Sequence, residues 1–183
     1  MRRTSSTREL TLAAMLGAVY AVLTMVLPIP QYAGIQIRLA EALTVLPFLF
    51  PAATPGLFVG CLIANLLSPY GLLDVIAGSG ATLIACLWTR RMNNRWLAPL
   101  PAVVCNAVIV GAVVAFAQTG TGPAFWPAYA FNAMTVGLGE LIASYILGTI
   151  LLNTLPKISF FRWFIPEDRL ALLDRRSKLQ VQS

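Results

Sequence analysis

Histidine is absent from this 183-residue chain, and charge is scarce: Asp, Glu, Lys and Arg make up only 11% of it. Soluble domains carry about 25% charged residues, so a water-exposed surface cannot be assembled from this composition. Without histidine the commonest general base, the usual activator of a nucleophile and the commonest metal ligand are all missing. Cysteine is almost as rare. Cys61, Cys86 and Cys105 lie singly in apolar runs without paired spacing, the pattern of buried reduced thiols and not of a disulfide framework or a zinc site. No GxxxxGK[ST] sequence occurs, so no phosphate-cradling loop is present and active transport would draw on a partner's energy or an ion gradient. These absences argue against an enzyme, a nucleotide hydrolase and a protein with a bound metal or cofactor. An intramembrane enzyme would have to use Ser79 or Ser144 without a histidine base.

What the chain has in abundance is apolar sequence, 58% of its residues. The runs are spread over the whole length and do not form a single anchor, which predicts an all-α membrane protein, a six-transmembrane-helix bundle. A first span is expected from about Leu10 to Leu27, ended by Pro28 and Pro30. Arg2, Arg3 and Arg8 before it would suit a signal peptide. Yet Pro28 to Pro30 lacks a small-residue cleavage pattern, and no polar mature domain follows, so the helix is expected to stay. Residues 31–38, with alternating Ile35 and Ile37, read as a structured loop. Pro47, Pro51, Pro55 and Gly56 divide the next run into two shorter helices, about 40–51 and 55–68. Spans at about 72–88, 97–117 and 131–155 follow, with a loop from Gln118 to Ala130 between the last two. Phe125, Trp126 and Tyr129 in that loop look interfacial.

Twelve of the thirteen basic residues fall before the first span, between Arg90 and Arg95, or after the sixth span, with Arg38 alone on the other side. Only an even number of spans puts those twelve together, and the side with the excess is cytoplasmic. The expected arrangement is a multi-pass cell-membrane protein with residues 1–9 as a cytoplasmic N-terminus, 10–155 as the transmembrane domain, and 156–183 as a basic amphipathic cytoplasmic tail on the lipid surface. The net charge of +6 is then a matter of topology and anionic lipid, and nucleic-acid binding is not expected.

Setting aside the terminal acids Glu9, Glu167, Asp168 and Asp174, three acids remain in or beside apolar spans: Glu41, Asp74 and Glu140. An ionisable group at membrane depth costs a few kcal/mol unless it faces protein or water, which makes it a candidate for function. The bland readings are an ion pair of Glu41 with Arg38 one turn earlier, a helix-end position for Asp74, or a structural hydrogen bond for Glu140. Asn65, Asn106 and Asn132, with Gln36, Thr82 and Tyr145, add groups that donate and accept. Together they predict an acceptor-rich cavity for a small, flat, donor-bearing solute. A carboxylate accepts two parallel hydrogen bonds from an N–H/NH2 edge such as that of a guanine-like ring, and Tyr70, Trp88 or Trp126 would stack on it or anchor at headgroups. In the first span Ala13, Gly17 and Ala21 form a small-residue stripe with Ala14 and Ala18 beside it, suited to close approach of a helix of this chain or another.

The blocks Gln36–Pro47, Pro51–Asn65, Asp74–Ala85, Leu97–Pro101 with Asn106, and Gly137–Glu140 resemble the QueT family of queuosine-precursor transporters over about residues 10–155. That family is regarded as substrate-binding S-components of energy-coupling-factor (ECF) transporters, six-helix proteins that join a transmembrane coupling protein and two cytoplasmic ATPases. The resemblance implies capture of a deazaguanine precursor of queuosine, with Arg38, Glu41, Asn65, Asp74, Asn106 and Glu140 as substrate-binding residues. It also implies docking of the coupling protein on the small residues of the first helix, Ala13, Ala14, Gly17, Ala18 and Ala21. The alternative is a stand-alone, ion-gradient-driven permease in which Glu140 or Glu41 carries a proton, and a non-transporting structural subunit is a further possibility.

Overall fold

Prolines and glycines set where the helices of this chain begin and end. In the computed structural model, which describes residues 5–26 and 38–180, every regular element is helical and no strand occurs among the described residues. α1 is Ser5–Val26 and α2 is Leu39–Phe48. α3 is Ala53–Asn65, α4 is Asp74–Thr89, α5 is Leu100–Thr119 and α6 is Phe125–Lys157. Two short elements, α7 at Ser159–Arg162 and α8 at Glu167–Gln180, complete the chain.

The six apolar helices follow the expected order. Three of them, α1, α5 and α6, are long and apolar enough to cross a membrane, whereas α2, α3 and α4 have 10 to 17 residues each. The division of residues 39–67 is as expected in kind but falls at Leu49–Ala52. Pro47 lies inside α2, which winds as a 3-10 helix. Pro47 has no N–H to donate in either winding, so one backbone bond of the element is missing there. Its ten residues reach about 20 Å, against about 30 Å of hydrocarbon. A correction falls between the last two helices. Gly120, at φ 61°, ends α5, but α6 already starts at Phe125. Most of the expected 118–130 loop is therefore helical, because Pro127 lies in the first turn, where a missing N–H costs nothing. The expected loop at 31–37, including Gln36, lies outside the described residues.

α2 is buried on all sides from Ala40 to Phe48, as befits a helix that is apolar but for Glu41 and Thr44. It packs against α1, α3, α4, α5 and α6, and so forms the axis of the bundle. α1 and α3 lie beside each other along a seam of backbone on backbone. A Cβ added at Gly56 would sit 1.8 Å from the Ala13 carbonyl oxygen, and one at Gly60 would sit 2.3 Å from that of Gly17. Gly56 and Gly60 form the small-xxx-small face that Ala13, Gly17 and Ala21 meet.

The basic clusters gather at one end of this bundle. The Arg8 guanidinium lies 3.4 Å from the ring centroid of Trp163. Arg169 donates to the carbonyls of Met92, at 2.9 Å, and of Arg90. Phe161 meets Phe50 at 6.3 Å, and Ile165 is buried in the core. The segment after α6 thus folds back on the bundle. At the opposite end Arg38 meets Asn65, and Gln118 meets Asn132.

Candidate functional site

An apolar bundle can hold an acid only if its oxygens find donors, because each unpaired buried charge costs several kcal/mol. Glu41 and Glu140 find donors for all their oxygens, and Asp74 for one of its two. Glu41, in the first turn of α2, accepts at Oε1 from the Tyr20 hydroxyl of α1 and at Oε2 from the Asn106 amide of α5, at 3.3 Å. The same Asn106 Nδ2 donates to Glu140 Oε1 of α6 at 2.8 Å. The Ser144 hydroxyl, one turn later on α6, donates to Glu140 Oε2 at 3.3 Å, with the Glu41 carbonyl an alternative acceptor at 3.5 Å. One amide therefore bridges two carboxylates that lie 99 positions apart in sequence.

From Tyr20 the network continues toward the Arg38 end. Its hydroxyl also lies 3.4 Å from the Cys61 thiol of α3, which is 3.2 Å from the Thr82 hydroxyl of α4. Asn65 Nδ2 reaches Cys61 Sγ at 3.4 Å, the Asp74 carbonyl at 3.1 Å and Ser79 Oγ at 3.3 Å. Its Oδ1 accepts from Arg38 at 3.0 Å. Asp74 Oδ2 accepts from Ser68 at 2.6 Å. Tyr20, Glu41, Cys61, Asn65, Asp74, Ser79, Thr82, Asn106, Glu140 and Ser144 are all buried, none more than 5% exposed. Arg38 and Ser68 are half-buried.

The six residues Arg38, Glu41, Asn65, Asp74, Asn106 and Glu140 are thus brought into one continuous hydrogen-bonded network. The Arg38–Glu41 pairing considered from the sequence gives way to different partners for each: Asn65 for Arg38, and Tyr20 with Asn106 for Glu41. Three helices carry wide π turns at these residues, over Asp74–Gly78, Asn106–Val110 and, directly after Glu140, Leu141–Leu147. Such turns widen a helix locally and recur at functional sites.

Other expected participants lie elsewhere. Asn132 Nδ2 donates to Gln118 Oε1 and to the Ala128 carbonyl, both at 2.8 Å, and ties α5 to α6. Trp88 and Trp126 are exposed on the bundle surface, in keeping with headgroup anchoring. Tyr20, Cys61 and Ser68 are the members that residue reasoning overlooked. The signal for Tyr20 was a lone phenol within an otherwise aliphatic and small-residue helix. Of the α1 stripe, Ala13, Gly17 and Ala21 are buried against α3, whereas Ala14 and Ala18 are exposed. They line an apolar groove of about 400 Å³ together with Val59 and Ile63 of α3.

Chemically the network offers three carboxylates, four hydroxyl-bearing side chains on its serines and threonine, a phenol, a thiol, two amides and one guanidinium. Acceptors on acids outnumber cationic donors, which suits a solute rich in N–H groups and not an anion. Among the described residues no group of three or more His, Cys, Asp or Glu side chains is placed to hold a metal ion.

The family model described as QueT transporter matches residues 10–157, which takes in α1 from Leu10 onward, α2 through α6 and every member of the network. No curated protein and no solved structure matches the chain.

Proposed function

The chain belongs to the QueT transporter family, and from that membership and the buried network we propose that it is the solute-binding S-component of an ATP-driven ECF-type transporter. It is a membrane transport protein, and the family points to a queuosine-related substrate. The finer reading is uptake of a deazaguanine precursor, held by Arg38, Glu41, Asn65, Asp74, Asn106 and Glu140, with no catalytic step in this chain. The observation that carries it is the convergence of three acids and two amides from α2 to α6 on one buried, acceptor-rich network. A guanine-like ring, with a flat face and adjacent N–H and NH2 donors, matches that chemistry.

In this reading α2, α3 and α4 cross the bilayer with the three longer helices. The end that holds Arg8, Arg90 and Arg169 faces the cytoplasm by the excess of basic residues there. Energy comes from a transmembrane coupling protein and two ATPase subunits, since the chain has no phosphate-cradling loop of its own. The coupling protein docks on the exposed Ala14–Ala18 edge of α1, where small side chains let a partner helix approach closely.

A second reading, a gradient-driven permease, is favoured by the burial of Glu140 in mid-helix beside Ser144 and Asn106. Uptake of labelled 7-deazaguanine into proteoliposomes separates the two. The S-component reading expects uptake only when the coupling protein and ATPases are co-reconstituted with ATP. Uptake by this chain alone, abolished by an uncoupler and by Glu140→Gln, would establish the permease instead.

A further inference from the structure

The three acids of the network differ in how their oxygens are paired. Both carboxylate oxygens of Glu41 accept hydrogen bonds, from Tyr20 and from Asn106. Both oxygens of Glu140 do so as well, from Asn106 and from Ser144. Asp74 differs. Its Oδ2 accepts from Ser68, but its Oδ1 is shielded from solvent and has no donor among the described residues. The residue as a whole is only 4% exposed. A carboxylate oxygen is among the most expensive atoms to bury unpaired, and native structures leave one so for a reason.

The room that this oxygen occupies is left by a glycine. A Cβ added at Gly78 would lie 2.3 Å from Asp74 Oδ1 and 3.0 Å from Asn65 Nδ2. Any larger residue at 78 would displace the carboxylate. Asp74 and Gly78 are also the two ends of the π turn in α4, so the widened turn and the missing side chain coincide on this atom.

We propose that Asp74 Oδ1 is the acceptor left open for the solute, and that it takes one N–H of an exocyclic amino group on a flat heterocycle. Glu41 and Glu140, each oxygen of which already has a donor from the protein, hold the frame around it. This assignment rests on the reading of the network as the solute site and names which acid meets the solute. A single open oxygen accepts one donor, not the paired edge that a free carboxylate takes. A group that projects from the ring reaches such an enclosed oxygen more readily than the ring edge itself. A neutral amine suits it better than an ammonium, because the guanidinium of Arg38 already supplies a positive charge at this end of the network, through Asn65.

The test is calorimetric titration of the full-length, detergent-purified chain with 7-deazaguanine and with 7-deazahypoxanthine, which lacks the 2-amino group. The wild type is expected to prefer the aminated ring by about tenfold or more, the worth of one hydrogen bond to a charged acceptor. Asp74→Asn is expected to lose most of that preference, while Glu140→Gln lowers affinity for both rings and keeps it. The comparison of the two rings on the wild type needs no variant to fold: equal affinities overturn the assignment. So does an Asp74→Asn protein that retains the preference. Binding of neither ring by the wild type overturns the substrate reading itself, an outcome distinct from either.

Discussion

Two buried regions of this bundle meet the same lipid-like surroundings with opposite designs. Along the α1–α3 seam, Ala13 and Gly17 press against Gly56 and Gly60 with no polar side chain between them and no room for a methyl group. One helix away, Glu41, Asn106 and Glu140 place charge and amide groups where a pure packing solution would put leucine. The seam gains dispersion contacts by close approach, the usual way for helices to associate in lipid. The network gains little stability over an apolar core and is exacting in geometry, since every member needs its partner. A bundle that needed only to hold together would use the first design throughout. In the proposed function the second is retained because the chain has a solute to meet there.

That contrast can be broken at either region. The largest effect is expected at the seam: Gly56→Val drives its side chain into the Ala13 carbonyl and should cost about 3 kcal/mol or more, seen as loss of monodisperse protein and a collapsed melting transition. Asn106→Leu should cost less, about 1–3 kcal/mol, because Glu41 Oε2 and Glu140 Oε1 both lose their donor while the volume is nearly kept. It should also abolish solute binding in a titration, which a seam variant that still folds would not. Tyr20→Phe removes one hydroxyl from Glu41 and Cys61, and a melting-temperature drop equivalent to about 1–2 kcal/mol is expected. The smallest effect on the fold belongs to Ala18→Leu. On the exposed edge of α1 it should change stability by no more than about 0.5 kcal/mol. Co-purification with the coupling protein should nevertheless fail, while solute binding by the isolated chain persists.

Much of the network was legible because charge is so rare here. In an apolar run an acid needs a partner, so Glu41, Asp74 and Glu140 stood out without any knowledge of the fold, and the asparagines followed as the groups able to serve them. Tyr20 was not legible, since a phenol in an apolar helix reads equally as an interfacial anchor. Cys61 was read as an inert buried thiol, and nothing local shows that it lies between Tyr20, Asn65 and Thr82. Prolines told that residues 39–67 form two helices but not that the first winds as a 3-10 helix around Pro47. The loop around Pro123 and Pro127 was overcalled because composition does not distinguish a proline in a first turn from one in a coil. The basic tail looked like a surface amphipath. Its docking through Phe161, Ile165 and Arg169 depends on contacts with Phe50, just after α2, and with the Arg90 loop, too far away in sequence for any periodicity to reveal.

The most direct test of the central claim, that the buried network is a solute site and not a structural device, is titration of the purified chain alone with 7-deazaguanine precursors, with riboflavin as a control. The account predicts tight, saturable binding of the deazaguanine, no binding of riboflavin, and loss of affinity in Asn106→Leu protein that remains folded. Binding of the deazaguanine that is unchanged in folded Asn106→Leu, or no binding of it at all by the wild type, would contradict it.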